Sequence, residues 1–81
     1  MENGECVKVF RNGGMALIRN EDGFAVAEML DGAIEFGEHL QGDWEDLGTT
    51  TLFNISQGCR QEVYLQGSWT TAATALRANG G

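Results

Sequence analysis

The chain has no proline, two cysteines, one histidine and five basic residues among its 81 residues, and it carries no long apolar run. Each shortage excludes something. Without proline there is no polyproline arm and no stiff proline-rich linker. No apolar stretch approaches the roughly 20 residues of a membrane-spanning helix. The opening "MENGECVKVF" lacks the basic start and apolar centre of a secretory signal, so a cytoplasmic location is expected. Cys6 and Cys59 are too far apart for a Cys-x-x-Cys redox pair, and no further Cys or His cluster joins them to make a zinc site. In a reducing compartment both are expected as thiols; a disulfide between them requires the first and last strands to pair.

Positive charge is the most informative shortage. Acidic residues outnumber basic ones 12 to 5, for a formal charge of −7, and no Lys or Arg lies between Arg19 and Arg60. That stretch holds Glu21, Asp22, Glu28, Asp31, Glu35, Glu38, Asp43, Glu45 and Asp46. A surface built from it repels phosphate, so neither nucleic acid nor an anionic membrane is an expected partner. A basic protein or a divalent cation would be attracted.

What is present is a single domain's worth of strands and turns. Hydrophobic residues make up 42% of the chain, and the 12 glycines point to many tight turns. Asn12-Gly13, Asp22-Gly23 and Asp31-Gly32 are hairpin signals, and the strands between them predict a meander. Alternation places Val7 and Val9 on one face of the first strand and Lys8 and Phe10 on the other; Met15 and Leu17 oppose Ala16 and Ile18 in the second. Apolar residues on both faces suit a sheet curled over its own core and covered in part by something else. "FAVAEML" (24–30) reads as a third strand on its length. Ile34, Phe36 and Leu40, interrupted by Gly37 and Gly42, suggest a bent strand. "TTTLFNIS" and "RQEVYLQG" form a second hairpin around Ser56-Gln57-Gly58. The predicted fold is all-β: a small SH3-like or OB-like barrel of five to six short antiparallel strands over residues 1–67, with one C-terminal α-helix over 68–79.

The helix is read from a change of period. Trp69, Ala72, Ala73 and Leu76 fall at i, i+3, i+4 and i+7, with Ser68 as N-cap, Arg77 in the last turn and Asn79-Gly80 as the stop. The terminal Gly80-Gly81 is similar to the tail of ubiquitin-like modifiers and sulfur carriers of the β-grasp family, and that resemblance implies activation of the terminal carboxylate. A β-grasp also needs a long helix after its first hairpin and a tail leaving straight from the last strand. Here an alanine-rich helix intervenes, so the carrier role ranks second.

The densest cluster of chemistry is "EFGEHLQGDWEDLG". Glu38, His39 and Asp43 are the candidate ligands for a divalent cation, although their spacing matches neither an EF-hand nor a zinc motif. No cofactor is implied. No nucleophile elbow or phosphate-cradling loop occurs, and a pocket deep enough to tune a catalytic carboxylate is hard to build at this size, so enzymatic activity is not expected. Trp44, flanked by Asp43, Glu45 and Asp46, has the composition of a hot spot for a basic protein if exposed; if buried, it plugs one barrel end. The same phrase resembles phrases in short uncharacterised bacterial proteins of small β-barrel fold, which implies a bacterial origin and a barrel, and carries no activity. The expected function is that of a non-catalytic, acidic protein-interaction or regulatory module.

Overall fold

Strands form where apolar residues recur at every second position, and their order closes them into a ring. The computed structural model describes residues 2–10 and 14–79. It contains β1 (Glu2–Val9), β2 (Met15–Asn20), β3 (Gly23–Met29), β4 (His39–Gly42), β5 (Gly48–Asn54), β6 (Cys59–Trp69) and α1 (Ala72–Asn79). The strands form a closed barrel in the order β1-β2-β3-β6-β5-β4, with every pairing antiparallel. β1 to β3 are a meander, and β4 returns to lie beside β1, which is a Greek key. The expected barrel with a terminal helix is therefore what the chain adopts. The Asn12-Gly13 turn and the Gly80-Gly81 tail lie outside the described residues.

Asp31-Gly32 does not make the expected third hairpin. The N–H groups of Leu30 and Asp31 both donate to the Glu62 carbonyl, at 3.0 and 3.2 Å, and the chain then leaves the sheet and crosses one end of the barrel through residues 30–38. The bent strand expected over Ile34–Leu40 is accordingly reduced to β4. Ile34 is 2% exposed and stoppers this end, its N–H donating to Met29 Sδ at 3.0 Å. At the other end lie Glu2, the Glu21-Asp22 turn and the 43–47 loop. These are the crossover end and the acidic end, respectively.

Alternation fills the interior. On β6, Gln61, Val63 and Leu65 are buried between exposed Arg60, Glu62, Tyr64 and Gln66. Ala16 faces Ala27 and Ile18 faces Ala25 across β2 and β3, so this wall is thin. Leu40, Leu52, Val63, Leu65 and Trp44 complete the same cluster, the mixture of small and large side chains that a narrow barrel needs. Gly4 belongs to this fit: a Cβ there would sit 2.7 Å from both Ile18 Cγ2 and Trp44 Cζ2.

Two bulges change the faces that simple alternation assigns. Cys6 pairs with Ile18 but Lys8 with Leu17, which leaves Val7 as the extra residue. Val7 and Val9 are thus separated: Val9 packs with the interior and Val7 with the outer cluster. On β6, Leu65 pairs with Ala27 and Gly67 with Val26, so Gln66 is extra and Trp69 turns outward beside Phe24.

The helix starts later than its spacing predicts. β6 continues through Ser68 and Trp69, so the helix begins at Ala72, and Ser68 is not its cap. Thr71 is, its hydroxyl accepting from the Thr74 N–H at 3.2 Å. The apolar stripe becomes Ala72, Ala75 and Leu76, with Ala73 exposed. It covers Phe10, Leu17 and Val26 on the outside of the sheet. Asn79 closes the helix by donating from Nδ2 to the Ala75 carbonyl at 2.7 Å. β1 and β6 are not neighbours in the ring, and Cys6 and Cys59 are both free, the first buried and the second exposed.

Gly4→Ala should lower stability by about 1–3 kcal/mol through overpacking against the indole. The measurement is a lower urea midpoint at an unchanged slope; a parental midpoint would show that the indole does not depend on the bare Gly4 backbone.

Candidate functional site

The antiparallel order gathers carboxylates that are distant in sequence. Glu2 pairs with Gly42, so the first residue of β1 meets the start of the 43–47 loop, while the Glu21-Asp22 turn caps the neighbouring hairpin. Glu2, Glu21, Asp22, Asp43, Glu45 and Asp46 thereby share the acidic end. Desolvation, together with the charges of Asp22, Glu21 and Glu45, holds the Glu2 carboxyl above the ordinary glutamate range. Asp43 Oδ1 accepts from the Glu45 N–H at 3.2 Å, and Asp46 N–H donates to the Asp43 carbonyl at 3.2 Å, which folds the loop tightly.

Trp44 is not part of that surface. It is 2% exposed, enters the barrel, and donates from Nε1 to the Glu2 carbonyl at 3.0 Å. Of the two readings of the indole the structure has the plug and not the exposed hot spot, because the barrel interior offers it both apolar walls and an acceptor for its N–H. Its neighbours Asp43, Glu45 and Asp46 remain exposed. The plug fixes the loop that carries them.

Beside the acidic end an open groove of about 320 Å³ is lined by Asn3, Glu5, Arg19, Asn20, Glu21 and His39. Its floor is the outer face of β4, β1 and β2, where His39 pairs with Glu5 and Glu5 with Arg19. Arg19 Nη2 lies 2.7 Å from Glu5 Oε1. Both side chains reach water, so the pair contributes about 0–1 kcal/mol and mainly neutralises the guanidinium. Gln41 Nε2 donates to Asn3 Oδ1 at 3.0 Å on the adjacent row. The groove is shallow and open, and although its residues are polar, much of the surface they present is the carbon of their side chains.

The crossover end is organised around one carboxylate. Glu38 Oε1 accepts from the Glu35 N–H at 2.8 Å, from Asn54 Nδ2 at 3.0 Å and from Gln57 Nε2 at 2.9 Å, and Gln57 Nε2 is also 2.9 Å from Oε2. Asn54 and Gln61 are buried and bonded to each other at 3.0 Å, and the amides of Gln57 and Gln61 both donate to the Ala33 carbonyl. The crossover is thus tied to the β5–β6 hairpin. Desolvation opposes ionisation of Glu38, but the hydrogen bonds from Glu35, Asn54 and Gln57 outweigh it and hold its carboxyl below the ordinary range.

The candidate metal ligands do not converge. Glu38 is committed to the hairpin, His39 is exposed on the outer face, and Asp43 lies past the far end of β4, roughly 13 Å along an extended strand. Among the described residues no group of three or more His, Cys, Asp or Glu side chains is placed to hold a metal ion. Burial pushes the Cys6 thiol up, which keeps it protonated in neutral solution. The carrier candidates Gly80 and Gly81 lie outside the described residues, and residues 23–29, where a β-grasp needs its helix, are the strand β3. No described helix is long and apolar enough to cross a membrane.

Sequence reasoning missed the contribution of Glu2, Glu21 and Asp22, because only the Greek key brings them to Asp43. It also missed the exposure of Phe36, for which the local signal was an aromatic followed by glycine between two acids. Comparison with family models, curated proteins and solved structures found no match to this chain.

Glu38 also fixes the sign of a pH effect. Its carboxyl is lowered in the folded state, so its contribution is fully present above the unfolded value of about 4.3 and is lost as pH falls through the lower folded value. Glu38→Gln should therefore be less stable than the parent at pH 7, with the difference shrinking in acid. Urea midpoints measured from pH 7 to pH 2.5 test this; a constant difference across that range would show that the charge is not what binds the crossover.

Proposed function

We propose that the protein is a non-catalytic interaction module that engages a basic protein partner through its acidic end. The observation that carries this reading is the gathering of Glu2, Glu21, Asp22 and Glu45, drawn from separate segments, at one end of the barrel, where Glu2 pairs with Gly42 and Gly4 with Asn20; desolvation first, and then the charges of Asp22, Glu21 and Glu45, raise the Glu2 carboxyl there. Such mutual repulsion costs free energy in the isolated protein and is relieved when a cation arrives. The one ion pair among the described residues, Arg19–Glu5, lies beside this cluster and leaves its charge uncompensated.

The geometry supports the reading in two further ways. The 43–47 loop is anchored by the buried Trp44, so its carboxylates are presented with little ordering left to do on binding. The groove next to them gives an extended partner segment an open floor, with the His39 ring and the amide nitrogens of Asn3 and Asn20 at its edges for hydrogen bonds. Phosphate-bearing partners are disfavoured by the same field. A reducing cytoplasm, in which both thiols stay free, is the setting this reading takes.

The test is an NMR titration with an octalysine peptide. Shifts should concentrate at Glu2, Glu21, Asp22, Asp43, Glu45 and Asp46 and in the groove. Each exposed contact is worth about 0.2–1 kcal/mol, so neutralising Glu2, Glu21, Asp22 and Glu45 together should weaken binding on the order of tenfold or more. Salt should weaken it further. Shifts spread evenly over Glu28, Asp31, Glu35 and Glu62 as well would show only diffuse attraction and remove the proposal.

A further inference from the structure

We infer that the crossover end is a second docking surface, on which Phe36 serves as a preformed aromatic anchor for an apolar cleft rimmed by basic side chains on a partner protein. Phe36 is 75% exposed, against 57% for Leu47, 51% for Leu30, 44% for Ile55 and 42% for Tyr64. Leu30 and Ile55 flank the same end, one at the start of the crossover and the other in the β5–β6 hairpin tied to it. Three of the five exposed large hydrophobic side chains among the described residues therefore lie on two loops joined to each other.

The ring is held out by its backbone. Glu38 N–H donates to the Glu35 carbonyl at 3.1 Å, closing a four-residue turn with Phe36 and Gly37 at its centre. Gly37 has φ +88°, the value that a type II turn demands of its third residue and that glycine adopts without strain. The Gly37 N–H donates to the Cys6 carbonyl at 2.8 Å, and the Cys6 N–H to the Glu38 carbonyl at 2.9 Å, so β1 clamps the turn from below. The Glu38 carboxylate clamps it from the side through Glu35, Asn54 and Gln57. An aromatic ring on a turn fixed in this way has little but its own side-chain rotation to lose on insertion, which is the property of a hot-spot anchor.

Charge selects the occupant. On the β5–β6 hairpin tied to the crossover the exposed Arg60 and Glu62 offset each other, which leaves exposed Asp31 and Glu35 on the crossover itself, where there is no Lys or Arg. A second copy in a symmetric contact would bring these carboxylates against themselves, in a chain that already carries −7. A cleft with a basic rim neutralises them instead. This surface is opposite the acidic end, and neither proposal depends on the other.

The defined probe is a host with an apolar cavity, β-cyclodextrin, used in its neutral form and as the derivative bearing an amine on each glucose of one rim. The cationic host should bind roughly tenfold tighter than the neutral one at low salt, shifting the Phe36 ring signals. Phe36→Ala should abolish binding of both while leaving the urea midpoint unchanged, and Asp31→Asn with Glu35→Gln should remove most of the cationic advantage. Equal binding of the two hosts, or undiminished binding to Phe36→Ala, overturns the inference. So does a concentration-dependent dimer in sedimentation that Phe36→Ala dissolves, since the occupant would then be a second copy. In the cells that naturally express the chain, a photo-crosslinking benzoylphenylalanine at position 36 should join it to a peptide with apolar residues beside Lys or Arg. The adduct should persist when Glu21 and Asp22 are neutralised. No adduct, or one to an acidic peptide, counts against the proposal.

Discussion

The Glu38 carboxylate is the interaction on which the rest of the architecture depends. A Greek key must send its chain from β3 across the barrel mouth to β4, and that passage has no ladder of its own. Glu38 supplies the substitute by gathering donors from its own turn and from the facing hairpin, while Asn54 and Gln61 extend the network into the interior. A buried amide network of this kind is stable only when complete, and no buried side-chain nitrogen or oxygen among the described residues lacks a partner. Holding the crossover in place sets β4 beside β1, and with it the start of the 43–47 loop at the opposite end.

Much of the barrel was legible because side-chain period reports the face directly. The opposition of Met15 and Leu17 to Ala16 and Ile18, the β5–β6 hairpin, and the need for a cover on the outer face all follow from spacing, and the structure has each of them. The bulges at Val7 and Gln66 were not legible, since an extra residue in a strand leaves no mark in composition; its effect is seen only when partners are aligned. The helix start was missed for a different reason. Trp69 fits the helical stripe by spacing, but its ring is taken by Phe24 across the β3–β6 ladder, and local pattern gives way to tertiary packing.

The candidate site was legible in sign and not in shape. Nine carboxylates with no Lys or Arg between Arg19 and Arg60 announced a negative surface, yet neither the grouping of Glu2 with Glu45 nor the burial of Trp44 can be read without topology. The indole and its flanking acids separate because the loop turns the ring inward, where Gly4 leaves room, and turns the carboxylates out. One short segment thus does two jobs, sealing the core and bearing charge. The other mouth repeats the arrangement with different chemistry, since Ile34 seals it and Phe36, two residues on, stands in solvent.

Closure of the hydrogen-bonded ring has one more consequence. Every strand has a neighbour on both sides, and the ring is thinnest between β4 and β5, where only Leu40 and Gln41 pair with Asn54 and Phe53, so a foreign strand finds little free edge for main-chain pairing. A partner of the kind proposed would meet mainly side chains at the rims and on the outer wall of the barrel. Assembly into fibrils by lateral strand addition would first require the ring to be torn open.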